Sequence, residues 1–218
     1  MTHIVLVHGA WHGSWCWSMV ADKLRPLGHT VTAVDLHRGT LAGDTQAVQE
    51  AIDNIGTPAI VCGHSYGGAV ITGLRPELIR HAIYLAAIMP DATESVLSIM
   101  GGSLSAVVDL REDGASCVIA PDTARTMFFG DCDIAVQNDA IVRLVPQQTR
   151  HFADPPGRAL WRDIPTTYVV CTDDKAIAPD QQVRMSQQAT YSQSWPTSHS
   201  PFLSSPERVA DVLAELAR

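Results

Sequence analysis

Ala59-Ile60-Val61-Cys62-Gly63-His64-Ser65-Tyr66-Gly67-Gly68-Ala69 runs from an unbroken apolar stretch, through a glycine-flanked serine, into a small-residue segment with helical character. A strand that turns sharply into a helix holds the corner residue in a strained backbone conformation and crowds its neighbours. Small residues two before and two after the corner, here Gly63 and Gly67, relieve that crowding. The corner serine is thereby held clear of the backbone at a helix start, where positive partial charge favours a developing anion. An ordinary glycine-rich turn with a serine N-cap shares the G-x-S-x-G spacing; the strand–turn–helix context is what favours a nucleophile.

Working outward, four further apolar runs end at turn signals: Ile4–Val7 at His8-Gly9, Val31–Val34 at Asp35, Ala82–Met89 at Pro90, and Thr167–Cys171 at Thr172-Asp173-Asp174. Short Val/Ile-rich runs without alternation predict strands buried on both faces, hence a parallel sheet. Between them, helical spacing is expected over Trp17–Leu27, Asp44–Ile55 and Gly67–Leu74. A last helix is expected over Ser205–Leu216, with Ser205 as N-cap and Pro206 in the first turn. Strands alternating with helices of this length imply a three-layer α/β domain. Residues 91–163 break the rhythm: they hold helix-like pieces, as near Ala135–Leu144, and the Pro155-Pro156-Gly157 turn, but no clear strand. The 218 residues thus read as one domain, with this insertion as a reduced cap over a functional face.

The elbow resembles that of the α/β hydrolases, which implies an acid and then a histidine further down the chain, each on a loop after a late strand. Seven of the nine histidines, His37 among them, precede the elbow or flank strands; only His151 and His199 follow the serine at a distance. His151 falls in the insertion and reads as a packing or surface residue. His199 lies in Thr197-Ser198-His199-Ser200-Pro201, before the last helix, and is the candidate base. For the acid, Asp173 and Asp174 compete at the end of the late strand, with Asp91 a third candidate; position alone does not separate the adjacent pair.

Val7-His8-Gly9-Ala10-Trp11-His12-Gly13-Ser14-Trp15-Cys16-Trp17, the elbow, and Cys171-Thr172-Asp173-Asp174-Lys175-Ala176-Ile177 together resemble the plant methylesterase and hydroxynitrile lyase branch and its bacterial esterase relatives. In similar members the last motif reads C-T-E-D-K-G-I with the second acidic residue catalytic, which implies Asp174. The resemblance likewise implies an oxyanion hole built from the backbone N–H groups of Ala10 and Tyr66. Trp15 and Trp17 read as packing, and Trp11 as a candidate pocket wall. Two positions depart from the lyases: Gly9 stands where they have Thr, and Ser200 where they have Lys after the histidine. Without that ammonium to receive departing cyanide, the esterase side of the branch is expected.

Composition agrees with a globular enzyme, at 46% apolar and 17% charged residues. With 15 basic against 23 acidic residues the formal charge is −8, a surface that repels phosphate backbones and anionic lipid, so neither nucleic acid nor membrane is an expected partner. Five scattered cysteines without a C-x-x-C pair argue against a disulfide framework and suit a reducing cytoplasm. The first nine residues lack a basic n-region, and the longest apolar run, Ala82–Met89, is far below a bilayer span. The expected chemistry is hydrolysis of a small-molecule ester, with no cofactor and no metal. The rivals are a lactone, thioester or carbon–carbon hydrolase using the same residues, and a ligand-binding receptor on the same scaffold. A dehalogenase or epoxide hydrolase would carry Asp at the place of Ser65.

Overall fold

The computed structural model describes residues 2–36 and 39–218; Met1 and His37 therefore lie outside the described residues. In chain order the strands are β1 (His3–Val7), β2 (Thr30–Val34), β3 (Ala59–His64), β4 (Ile79–Leu85), β5 (Asp109–Leu110), β6 (Ser116–Val118), β7 (Gln147–Gln148), β8 (Thr166–Cys171) and β9 (Tyr191–Trp195). The helices are α1 (Ser18–Leu24), α2 (Leu41–Ile55), α3 (Tyr66–Thr72), α4 (Val96–Met100), α5 (Gly102–Ser105), α6 (Pro121–Phe128), α7 (Ile134–Val142), α8 (Pro179–Ser186), α9 (Pro201–Ser204) and α10 (Pro206–Leu216).

Six strands form one parallel sheet in the order β2-β1-β3-β4-β8-β9. The central strand β3 is buried along its whole length between β1 and β4, as its unbroken apolar sequence requires. Its neighbours carry the rest of the core: Ile4–Val7 of β1 and Ala82–Leu85 of β4 are almost wholly removed from water. Flanking helices pack α1 against α10 and α2 against α3. The α2 stripe begins earlier than expected, at Leu41, because Thr40 caps it by accepting a hydrogen bond from the Gly43 N–H. Among the described residues no helix is long and apolar enough to cross a membrane.

Four expectations are corrected. The Val31–Val34 run, expected to be buried on both faces, is only half-buried because β2 is an edge strand. The sheet has a sixth strand, β9, whose Tyr-Ser-Gln-Ser sequence is exposed. It lies at the edge and packs little apolar surface, so no apolar run marks it. The insertion also contains strands: β5, β6 and β7 form a small antiparallel sheet. Elements of two or three residues are too short to show any periodicity. Ala82–Met89 is likewise not all strand; β4 ends at Leu85, and Ala86 turns out of the sheet with φ of 44°.

Candidate active site

Ser65 sits at the carboxyl end of β3 with φ 53° and ψ −122°, a conformation costing about 1–3 kcal/mol that persists only where its surroundings enforce it. The enforcement is visible in the flanking glycines. A Cβ on Gly67 would lie 2.6 Å from the Val7 carbonyl oxygen, and one on Gly63 would lie 2.5 Å from that of Gly67. The Ser65 carbonyl accepts from the N–H groups of Gly68 and Ile88, tying the corner to the following helix and to the segment after β4.

The first turn, after β1, brings Gly9 and Ala10 against this corner. A Cβ on Gly9 would stand 2.9 Å from Cβ of Ser65 and 2.9 Å from Nδ1 of His64, so the close approach of the two turns depends on glycine. Ala10 follows Gly9 in this turn, and Tyr66 opens α3, where backbone N–H groups lack partners within the helix. Ala10, Ser65, Tyr66 and His199 all line one cavity. Its other walls are mostly apolar and include Trp11, Ile88, Phe128 and Ile177, with Lys175 also on its lining.

His199 follows β9, and Asp174 follows β8. Asp174 Oδ2 lies 2.7 Å from His199 Nδ1, and both side chains are buried. The carboxylate is held from three other directions. Its Oδ1 accepts from the backbone N–H groups of Ala176 and Ile177 at 2.7 and 3.0 Å, and Oδ2 accepts from the Gln182 amide at 2.7 Å. With Nδ1 donating to the carboxylate, the remaining ring nitrogen of a neutral imidazole is an acceptor. Asp173 is exposed, and Asp91 is paired with Arg162, whose guanidinium holds that carboxyl below the usual range. Ser200 is fully buried and is not part of the cavity wall.

Several supporting residues left no signal in the sequence. His64 donates from Nε2 to the His199 carbonyl at 2.9 Å, its ring centroid 4.6 Å from that of His199. Burial holds His64 well below the ordinary histidine range and lowers His12 to about 3, so both rings stay neutral beside His199. Asp131, between α6 and α7, accepts from the Ser198 N–H and the Ser204 hydroxyl, each at 2.9 Å. His151 is buried, with Nε2 3.3 Å from Asp44 Oδ2, and Tyr66 donates its hydroxyl to the same carboxylate oxygen at 2.9 Å. These partners lie far apart in the chain, from 22 residues for Tyr66–Asp44 to 136 for Trp11–Gln147, beyond the reach of any local pattern. Trp11 walls the cavity, Trp17 is core, and Trp15 stacks on His12.

An alpha/beta hydrolase family model matches residues 4–212. Methylesterase 1 of Arabidopsis thaliana is 26% identical over 257 residues, spanning 99% of this chain and 95% of its own. The carbendazim hydrolyzing esterase of Nocardioides sp. (strain SG-4G) is 36% identical over 138 residues, 56% of this chain and 57% of its own. Among solved structures, a pyrethroid hydrolase from Sphingobium faniae JZ-2 superposes with a TM-score of 0.88 at 25% identity, over 99% of this chain and 97% of that one.

Proposed function

The chain belongs to the alpha/beta hydrolase family, and from that premise we propose that it is a serine esterase cleaving small carboxylic esters through an acyl-enzyme. The observation that carries this reading is the 2.7 Å contact of Asp174 with His199, on a histidine that shares one cavity with Ser65. Relatives named as esterases and hydrolases support the substrate class. Residues 91–163 serve in this reading as a cap, since Met100, Leu104, Ile119 and Phe128 from that segment line the cavity.

Asp174 keeps the proton of His199 on Nδ1 and stabilises the imidazolium that forms. Nε2 takes the Ser65 hydroxyl proton as Oγ attacks the ester carbonyl carbon. Negative charge then develops on the carbonyl oxygen, where the Ala10 and Tyr66 N–H groups receive it; one such donor is worth about 3–4 kcal/mol. The C–O bond to the alcohol breaks as His199 returns the proton to the departing oxygen. Water, deprotonated by the same ring, attacks the acyl-serine and releases the acid with Ser65 restored. Protein groups and water complete the cycle, with no step assigned to a metal or cofactor.

Gly9 and Ser200 favour ester cleavage over cyanohydrin cleavage. The Gly9 position has no room for a side chain beside Ser65, and Ser200 is a neutral, buried residue off the cavity wall. Incubation with phenyl acetate and with mandelonitrile, following phenol and benzaldehyde above background, tests the assignment. Phenol release is expected to dominate, and Ser65→Ala is expected to lower it by on the order of 10⁴-fold while the fold is retained. A fluorophosphonate probe is expected to label Ser65 alone. Ser65-dependent benzaldehyde release matching phenol release, or a Ser65→Ala protein within tenfold of wild type, would overturn the proposal.

A further inference from the structure

Leu104 and Phe152 each line two cavities. One is the Ser65 cavity. The other is bounded further by Leu97, Val108, Leu110 and Cys117, with Thr149 as its hydroxyl-bearing member. The two spaces therefore share a wall, and that wall is apolar on both sides.

The rim of the second cavity is unusual for a surface in water. Leu110 is 66% exposed and Leu97 41% exposed. Single exposed leucines are ordinary, but these two border the same concavity, and an apolar concavity with apolar rims gains by being filled. The dividing residues differ in how firmly they are held. Phe152 is buried against Trp11 and Tyr66, with ring centroids 5.6 and 5.8 Å away. Leu104 is only half-buried and belongs to α5, a single turn that follows Gly101 at φ +57°.

We propose that the second cavity is the outer part of the substrate site: it takes the far end of an extended apolar limb of the ester, passing Leu104 from the Ser65 cavity. The proposal rests on the esterase reading and narrows its substrate class to esters with a long alkyl or comparable apolar acyl or alkoxy part. Each methylene moved from water onto apolar surface can raise kcat/KM by up to about fourfold, so a limb reaching Leu97 and Leu110 would be strongly preferred over a short one.

Two homologous series decide the matter: p-nitrophenyl esters from acetate to decanoate, and acetate esters from methyl to decyl, all below the concentrations at which they aggregate. In one of the series kcat/KM is expected to rise about tenfold or more between the four-carbon and ten-carbon members. In the Leu97→Asp/Leu110→Asp protein, the ratio of ten-carbon to two-carbon kcat/KM is expected to fall about tenfold, because a carboxylate on the rim opposes an alkyl chain. Both substituted side chains stand largely in water, and a thermal melt checks that the variant folds. Series that stay flat or decline beyond four carbons, or a ratio within twofold of wild type, overturn the subsite while Ser65-dependent acetate turnover leaves the esterase reading intact. Absence of turnover on every ester defeats both.

Discussion

Asp173 and Asp174 are adjacent in the chain and opposite in environment. Asp174 is buried and accepts from two backbone N–H groups, the Gln182 amide and His199; Asp173 is exposed, and its backbone N–H donates to the Thr197 carbonyl. A carboxylate that sets an imidazole tautomer acts through its charge and its acceptor atoms, both of which Asn changes. Asp174→Asn is therefore expected to lower kcat by on the order of 10³- to 10⁴-fold, and Asp173→Asn to change it less than about threefold. Steady-state kinetics on one ester with both variants checks this; a reversed order would move the acid by one residue. From the sequence the pair was separable only through the resemblance of Cys171–Ile177 to a family motif, because burial and hydrogen bonding are not written in adjacent identical residues.

Between elements, the histidine loop is held from a segment far away in sequence. Asp131 stands between α6 and α7 and clamps the loop on either side of His199, through the Ser198 N–H and the Ser204 hydroxyl. Among the described residues these hydrogen bonds go to none of those assigned to the reaction, so it acts by positioning. Hydrogen bonds to a charged group contribute about 1.5–3 kcal/mol, and part of that is expected to appear as placement of His199. Asp131→Ala should lower kcat by roughly 3- to 30-fold with KM changed little, and Asp131→Asn should recover part of the loss by retaining one acceptor oxygen. A merely structural role would shift the melting temperature and leave kcat of the folded protein alone. Equal kcat in wild type and Asp131→Ala would sink the assignment.

At the scale of the molecule, buried neutral histidines make stability depend on pH. Burial lowers His12 to about 3 and holds His64 well below its ordinary value of 6.5. In the unfolded chain both titrate near 6.5, so below that pH the unfolded state binds more protons than the folded one. Stability is thus fully present above about pH 7 and declines as pH falls through 6.5 toward the folded-state values. With two such groups the limiting slope is on the order of 2–3 kcal/mol per pH unit. Urea midpoints at pH 8, 7, 6 and 5 are expected to stay level between the first two and fall across the last two. A midpoint unchanged from pH 7 to 5 would show that these rings ionise in place.

The apolar runs, the glycine-flanked Ser65 and the loop position of His199 are properties of short stretches, and there the sequence by itself determined the answer: parallel strands, buried except at the β2 edge, a strained corner, a late histidine. The crowding that demands Gly63 and Gly67 follows from the same local pattern, whereas the order of the strands in the sheet does not. The polar edge strand β9 and the small sheet of β5, β6 and β7 were decided only in three dimensions, because their strands are stabilised by partners rather than by their own apolar content. So were the contacts of Asp131, Gln182 and His64 around the Asp174–His199 pair, and the burial of His151 beside Asp44 and Tyr66, where its neighbours in sequence fit a surface position as well as a packed one. A hydrogen bond between residues far apart in the chain constrains neither residue's neighbours, so no periodicity or spacing records it; the folded chain alone brings donor and acceptor to 3 Å.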